Sequence, residues 1–285
     1  MESLTTQDGR TLTYHLVGEG PTLVCHPGGP GFSSRYFGDL AGLTESLTLV
    51  LLDPRGTGAS DRPSDPRAYR TEDYAADLDE LRAHLGLEQL QLLGHSHGGV
   101  VATAYAGRYP HRVERLVLAS ALARFQAEQE GAMQRAMEAK STEPWYADAR
   151  TALEAEQAGQ FETDEELAAL AFREFPFYFA RYGDDERAYL EELADESPNA
   201  DALRLFNNEI FPSFDLRPEL ARIDAPTLVI AGEDDFITGP VCADELEAGI
   251  AGAKKVILPN AGHFIFVEAP DAFREAVLSS LEAHV

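Results

Sequence analysis

The chain has 285 residues, 44% of them apolar, enough for one large domain with a buried core or one domain that carries an insertion. Its 23 Lys and Arg against 49 Asp and Glu leave a formal charge of −26, which repels phosphate backbones and anionic lipid and so argues against nucleic-acid and membrane partners. Two cysteines, Cys25 and Cys242, are too few for a disulfide framework. No run approaches 18 apolar residues, and the first residues lack the basic and apolar stretches of a secretory leader, so a cytoplasmic location is expected.

Leu23-Val24-Cys25-His26 is a short apolar run that stops at Pro27-Gly28-Gly29-Pro30-Gly31. Leu47 to Leu52 is a second, ending at Asp53-Pro54-Arg55-Gly56. Over Thr71–Leu85, residues Tyr74, Leu78, Leu81 and Leu85 share one helical face. Leu90–Leu93 is a third strand, residues 98 to 109 form a helix that ends before Pro110, and Leu116–Ala119 is a fourth strand. Apolar strands alternating with helices predict a parallel sheet covered on both faces. From about Ala121 to Leu220 no strong β run occurs, and Glu, Ala and aromatics recur at helical spacing. The sheet pattern resumes at Thr227–Ala231 and Val256–Leu258, followed by a helix from about Asp271 to His284. These elements predict one α/β domain, residues 1–120 and 221–285, interrupted by a helical insertion over 121–220.

Gly94-His95-Ser96-His97-Gly98-Gly99 places G-x-S-x-G between a strand and a helix. A serine at such a sharp turn is strained, and small flanking residues keep neighbouring backbone from clashing. Its hydroxyl then projects above the carboxyl edge of the sheet, at the positive end of the following helix. A serine becomes a nucleophile only with a base and a group that orients the base. His263, in Asn260-Ala261-Gly262-His263-Phe264, follows the strand Val256–Leu258 and reaches the same sheet edge as Ser96. Gly232-Glu233-Asp234-Asp235 follows the strand Thr227–Ala231, where a carboxylate can fix the imidazole tautomer; Asp234 and Asp235 compete for that role, with Glu233 a third candidate.

The order serine, acid, histidine is that of α/β-hydrolases. The chain resembles α/β-hydrolase-fold proteins, in particular the proline iminopeptidase-like branch, on HPGGPG at His26–Gly31, DPRGTGAS at Asp53–Ser60, GHSHGG at Gly94–Gly99, GEDD at Gly232–Asp235 and GH at Gly262–His263. The resemblance implies an α/β-hydrolase fold, a mostly parallel sheet flanked by helices with a helical cap. It selects Asp235, the Asp of G-x-x-D, as the acid. It also implies an oxyanion hole from the N–H groups of His97 and Gly29, with Gly28 the near alternative. The family has His directly before the two glycines, where this chain has Pro27 and carries His26 one step earlier. The second glycine-rich loop, Asp53–Ser60, lacks the Lys of a phosphate-binding loop and reads as a structural turn beside the site.

Peptidases of this branch hold the substrate's free amine with cap glutamates, in a segment resembling E-N-H-Y-F. The best local match is Asn207-Asn208-Glu209-Ile210-Phe211, which nominates Asn207, Glu209 and Phe211 as substrate-binding residues, with Asn207 standing where the glutamate belongs. No H-E-x-x-H or C-x-x-C spacing exists, so neither metal nor cofactor is expected. The expected function is a cofactor-free serine hydrolase that cleaves an ester or amide of a small-molecule or short-peptide substrate through an acyl-enzyme. Rival expectations are a proline iminopeptidase, a carbon–carbon bond hydrolase and a non-catalytic ligand-binding protein on the same fold.

Overall fold

The computed structural model describes residues 1–282. Eight strands form one sheet: β1 (Glu2–Thr5), β2 (Thr11–Val17), β3 (Thr22–His26), β4 (Thr48–Asp53), β5 (Leu90–His95), β6 (Val113–Ala119), β7 (Thr227–Gly232) and β8 (Lys254–Leu258), in the spatial order β1-β2-β4-β3-β5-β6-β7-β8. Pairing is antiparallel for β1 with β2 and β2 with β4, and parallel from β4 to β8. The first two strands were not foreseen, because Thr11–Val17 mixes polar and apolar residues rather than running apolar. Two short 3₁₀ turns, Ser34–Phe37 and Leu43–Glu45, link β3 to β4.

Neighbouring residues on the parallel strands face opposite layers, and both layers are apolar. Val24, Leu92 and Leu118 pack with Tyr74, Leu78 and Leu81 of α1 (Thr71–His84) and with Val101, Ala102 and Tyr105 of α2 (His97–Arg108). Leu23, Cys25, Leu93 and Ile230 pack on the other side with Phe37, Leu40, Phe273 and Val277. Double coverage is the physical reason that these strands read as unbroken apolar runs.

Between β6 and β7 lie α3 (Ala127–Glu138), α4 (Tyr146–Gln157), α5 (Asp164–Glu174), α6 (Asp184–Glu191), α7 (Ala200–Leu205) and α8 (Arg217–Leu220). An isolated antiparallel bridge, Arg124 with Asp215, draws the two ends of this segment together. The last helices are α9 (Pro240–Gly249), α10 (Ile265–Glu268) and α11 (Pro270–Leu281). The expected final helix began near Asp271; its residues 283 and 284 lie outside the described residues.

β3 has β4 on one side and β5 on the other, so the loops that leave β3 and β5 diverge. A crevice opens at the carboxyl ends of strands at such a reversal of strand order, and sites on open α/β sheets collect there. The Gly28–Gly31 turn and Ser96 both stand at this reversal. No helix among the described residues is long and apolar enough to cross a membrane.

Candidate active site

Ser96 joins β5 to α2 with φ 56° and ψ −121°, a conformation that costs a non-glycine residue energy and turns its side chain out of the sheet. The glycines around it are there for space. A Cβ on Gly98 would stand 2.1 Å from the carbonyl oxygen of His26, and one on Gly94 2.2 Å from that of Gly98. Ser96 lines a cavity of about 430 Å³ together with Gly29, His97 and His263.

His263 lies in the loop between β8 and α10. Its Nδ1 is 2.9 Å from Asp235 Oδ2 and 3.1 Å from Thr238 Oγ1. The Asp235 carboxylate also accepts from the backbone N–H groups of Ile237 and Thr238, each at 3.0 Å, and from Thr238 Oγ1 at 2.7 Å. Burial alone would raise the Asp235 pKa, but His263 and these donors outweigh it and hold the carboxyl well below its ordinary range. Asp235 is buried, whereas Glu233 and Asp234 are exposed, which separates the three acid candidates. With Nδ1 turned to Asp235, Nε2 is the ring nitrogen left for the cavity. Among the described residues His263 makes no hydrogen bond to Ser96, a link that in resting hydrolases is commonly long and tightens when substrate binds.

The N–H of His97 belongs to the first turn of α2 and has no intrahelical acceptor. The N–H of Gly29, at φ 111°, carries no hydrogen bond among the described residues. Gly28, the near alternative, is already engaged: its N–H donates to the Tyr36 hydroxyl at 2.6 Å. That hydroxyl meets His95 Nδ1 at 2.8 Å, and His95 Nε2–H donates to the His263 carbonyl at 3.0 Å. The His95 bond to a carbonyl fixes its tautomer and makes Nδ1 the acceptor. Burial drops the His95 pKa to about 3, so the ring stays neutral. This buried relay connects the turn after β3 to the loop of His263, and sequence reasoning missed Tyr36 because nothing in its local pattern marks it.

His26 and His97 are also buried and neutral, with pKa values pushed by burial to about 4 and about 3. His26 Nδ1 bonds the Pro27 carbonyl at 2.9 Å. In the second glycine-rich loop Asp53 accepts from Ser34, and Arg55 pairs with buried Asp77 of α1 at 2.7 Å, so this loop is pinned to its neighbours as a structural turn. No group of three or more His, Cys, Asp or Glu among the described residues is placed to hold a metal.

The cavity is walled largely by apolar side chains, among them Met133, Phe172, Phe175, Phe206 and Phe211. Four carboxylates interrupt that wall, and two of them, Glu156 of α4 and Glu174 of α5, are buried; Glu130 and Glu196 reach solvent. Burial lifts the Glu156 pKa to about 7, and burial together with Glu156 lifts that of Glu174 well above its usual value. Asn207 Nδ2 donates to Glu156 at 2.9 Å, and Glu174 Oε2 has no partner. Neither glutamate was anticipated, although the signal was present. Glu156 ends the buried stripe Ala149, Ala152, Leu153, and Glu174 ends the buried stripe Leu167, Ala171, each at an i+7 position on an apolar helix face.

Of the three nominated substrate-binding residues, Asn207 and Phe211 line the cavity and Glu209 does not. Glu209 is exposed and paired with Arg70 at 2.9 Å. Residues Phe206–Ile210 form a π-helical turn closed by the Phe211 N–H to Phe206 carbonyl bond, which places Phe206, Asn207 and Phe211 on the cavity side.

Residues 21–270 match the model of the alpha/beta hydrolase fold family. The chain is 29% identical over 286 residues to a proline iminopeptidase of Levilactobacillus brevis, covering 95% of this chain and 93% of that one. Among solved structures it is similar to a hydrolase from Pseudomonas aeruginosa PA01, with 32% identity, a TM-score of 0.73 and coverage of 99% and 98% of the two chains. It is similar as well to the enol-lactonase from Burkholderia xenovorans LB400, with 27% identity, a TM-score of 0.73 and coverage of 98% and 99%.

Proposed function

This chain belongs to the α/β-hydrolase fold family, in its proline iminopeptidase-like branch, and on that premise we propose that it is a serine hydrolase whose substrate carries a cationic amine close to the scissile carbonyl, as an N-terminal proline residue does. In this reading Ser96 Oγ attacks the carbonyl carbon while His263 Nε2 takes its proton. Asp235 holds the imidazole in the Nδ1–H tautomer and stabilises the imidazolium. The N–H groups of Gly29 and His97 meet the developing oxyanion, each contributing about 3 kcal/mol to the barrier reduction. His263 then protonates the leaving amine or alcohol, and an acyl group remains on Ser96. Water, deprotonated by the same imidazole, attacks that ester and releases the acid.

Residues 121–220 act in this proposal as a cap over a core of residues 1–120 and 221–285. The observation that carries the substrate class is the Glu156–Glu174 pair, two buried carboxylates facing the cavity that Ser96 also lines. Two adjacent buried acids are costly without a cation, and a substrate ammonium would relieve both. Apolar side chains of the same cavity, among them Phe175 and Phe206, suit an apolar ring. A second reading, cleavage of a neutral ester or lactone, is favoured by the largely apolar wall.

A panel of proline naphthylamide, its N-acetylated counterpart and nitrophenyl esters tests the proposal. Cleavage of the free amine at least tenfold faster than of the acetylated compound is expected; equal rates, or ester cleavage alone, overturn the amine reading. A fluorophosphonate probe should label the native protein and leave Ser96→Ala unlabelled. Absence of labelling on folded native protein removes the acyl-enzyme.

A further inference from the structure

The loop that carries His263 is not held by the core alone. A strap from the helical segment, residues Phe177 to Arg181, lies directly against it. The Tyr178 carbonyl accepts the backbone N–H of His263 at 2.6 Å. Gly262 fits so closely under the strap that a Cβ there would stand 2.4 Å from the Tyr178 carbonyl oxygen and 2.7 Å from the nitrogen of Ala180. Lys140, in the turn after α3, secures the strap by donating to the carbonyls of Phe177 and Phe179.

One carboxylate joins both partners. Glu268, the last residue of α10, accepts from the N–H of Gly262 at 2.7 Å with Oε2. Its Oε1 accepts from the N–H of Ala180 at 2.8 Å and from that of Arg181 at 3.4 Å. The backbone N–H groups it satisfies belong to the residue before His263 and to the strap that accepts the backbone N–H of His263. Glu268 touches neither substrate space nor the reacting atoms, since it does not line the cavity.

We infer that Glu268 is a positioning residue for the reaction: its carboxylate clamps the strap to the loop at Gly262 and thereby sets where His263 Nε2 stands relative to Ser96. The inference rests on the serine-hydrolase reading above and adds a residue to it. Burial raises the Glu268 pKa to about 7 against the pull of its three N–H donors, and above that pH two short bonds from one carboxylate to two backbone segments fix a geometry that a neutral amide cannot reproduce. Gln in its place accepts on one side only and turns an NH₂ toward the other N–H, so one of the two segments is released. A displacement of about 1 Å at the base is enough to cost about 10²-fold in rate.

The test compares full-length native protein with Glu268→Gln at a temperature where both are folded. It uses nitrophenyl acetate turnover, the rate of fluorophosphonate labelling, and the downfield proton resonance of His263 Nδ1–H. The clamp predicts that kcat and the labelling rate fall about tenfold or more, that KM changes by less than about twofold, and that the resonance shifts or broadens. Glu268→Asp, which restores the charge one methylene short, is expected to recover part of the rate; it also carries the comparison if the Gln variant does not fold. A folded Glu268→Gln with native rates and a native resonance overturns the proposal, and loss of thermal stability without those changes assigns Glu268 a structural role only. A native protein that neither turns over nor labels sinks the hydrolase reading instead, and the resonance comparison still decides whether Glu268 places the imidazole.

Discussion

Asp234 and Asp235 are adjacent, yet only Asp235 is buried against His263, with both of its oxygens occupied by donors. Asp235→Asn is expected to lower kcat by about 10⁴ through loss of the required tautomer. Asp234→Asn should leave kcat within about twofold, as expected of an exposed side chain. Steady-state kinetics on one amide substrate checks both. The buried pair in the cavity wall makes a separate prediction. Glu156→Gln should raise KM for a free-amine substrate about 10- to 100-fold, the range of a lost charge-assisted bond, with neutral esters little affected. The native protein should show a pH effect of defined sign. Burial places the Glu156 pKa near 7, so the empty site holds a proton below that value, and an ammonium must displace it. KM for the amine substrate should therefore rise as pH falls from 8 to 6, without a matching rise for the ester. Ser96, Asp235 and His263 were legible because each follows an apolar strand in a recognisable short pattern. Glu156 and Glu174 were harder to read, since a Glu on a helix is ordinary until the buried neighbours of its face are known.

At the level of elements, the strands from β3 to β8 announce themselves by short apolar runs, and the ones that were missed, β1 and β2, carry polar residues that no single-strand pattern distinguishes from loop. The elbow between β5 and α2 is where local sequence and packing agree most tightly. Gly98→Ala drives a methyl group into the His26 carbonyl and, through it, into the turn that offers Gly29. A loss of about 2–4 kcal/mol in urea unfolding is expected, with activity falling even at full occupancy of the folded state. The π-helical turn at Phe206–Ile210 shows the limit of reading by alignment. One bond closed over five residues rather than four changes which side chains share a face, and Glu209 ends at the surface beside Arg70.

The whole molecule carries −26 charges, and most of its acids are on the surface, where they repel one another. Raising potassium chloride from 0.05 to 1 M shortens the screening length from roughly 14 Å to about 3 Å, and the thermal midpoint should rise by several degrees. A flat or falling midpoint would mean that the surface ion pairs contribute more than the repulsion takes away. At this scale the division of labour is also plain. Gly29, Ser96, Asp235 and His263 sit on short loops after β3, β5, β7 and β8, whereas the residues that would judge a guest molecule, Glu156, Glu174, Phe175 and Phe206, come from the helices between β6 and β7. On the proposed reading, reactivity and taste can drift separately across generations: a lineage could change its diet by rewriting a hundred-odd positions in the middle of the gene. The strap at Phe177–Arg181 is the exception, because any transplanted middle section must bring its own handhold for the histidine or arrive silent.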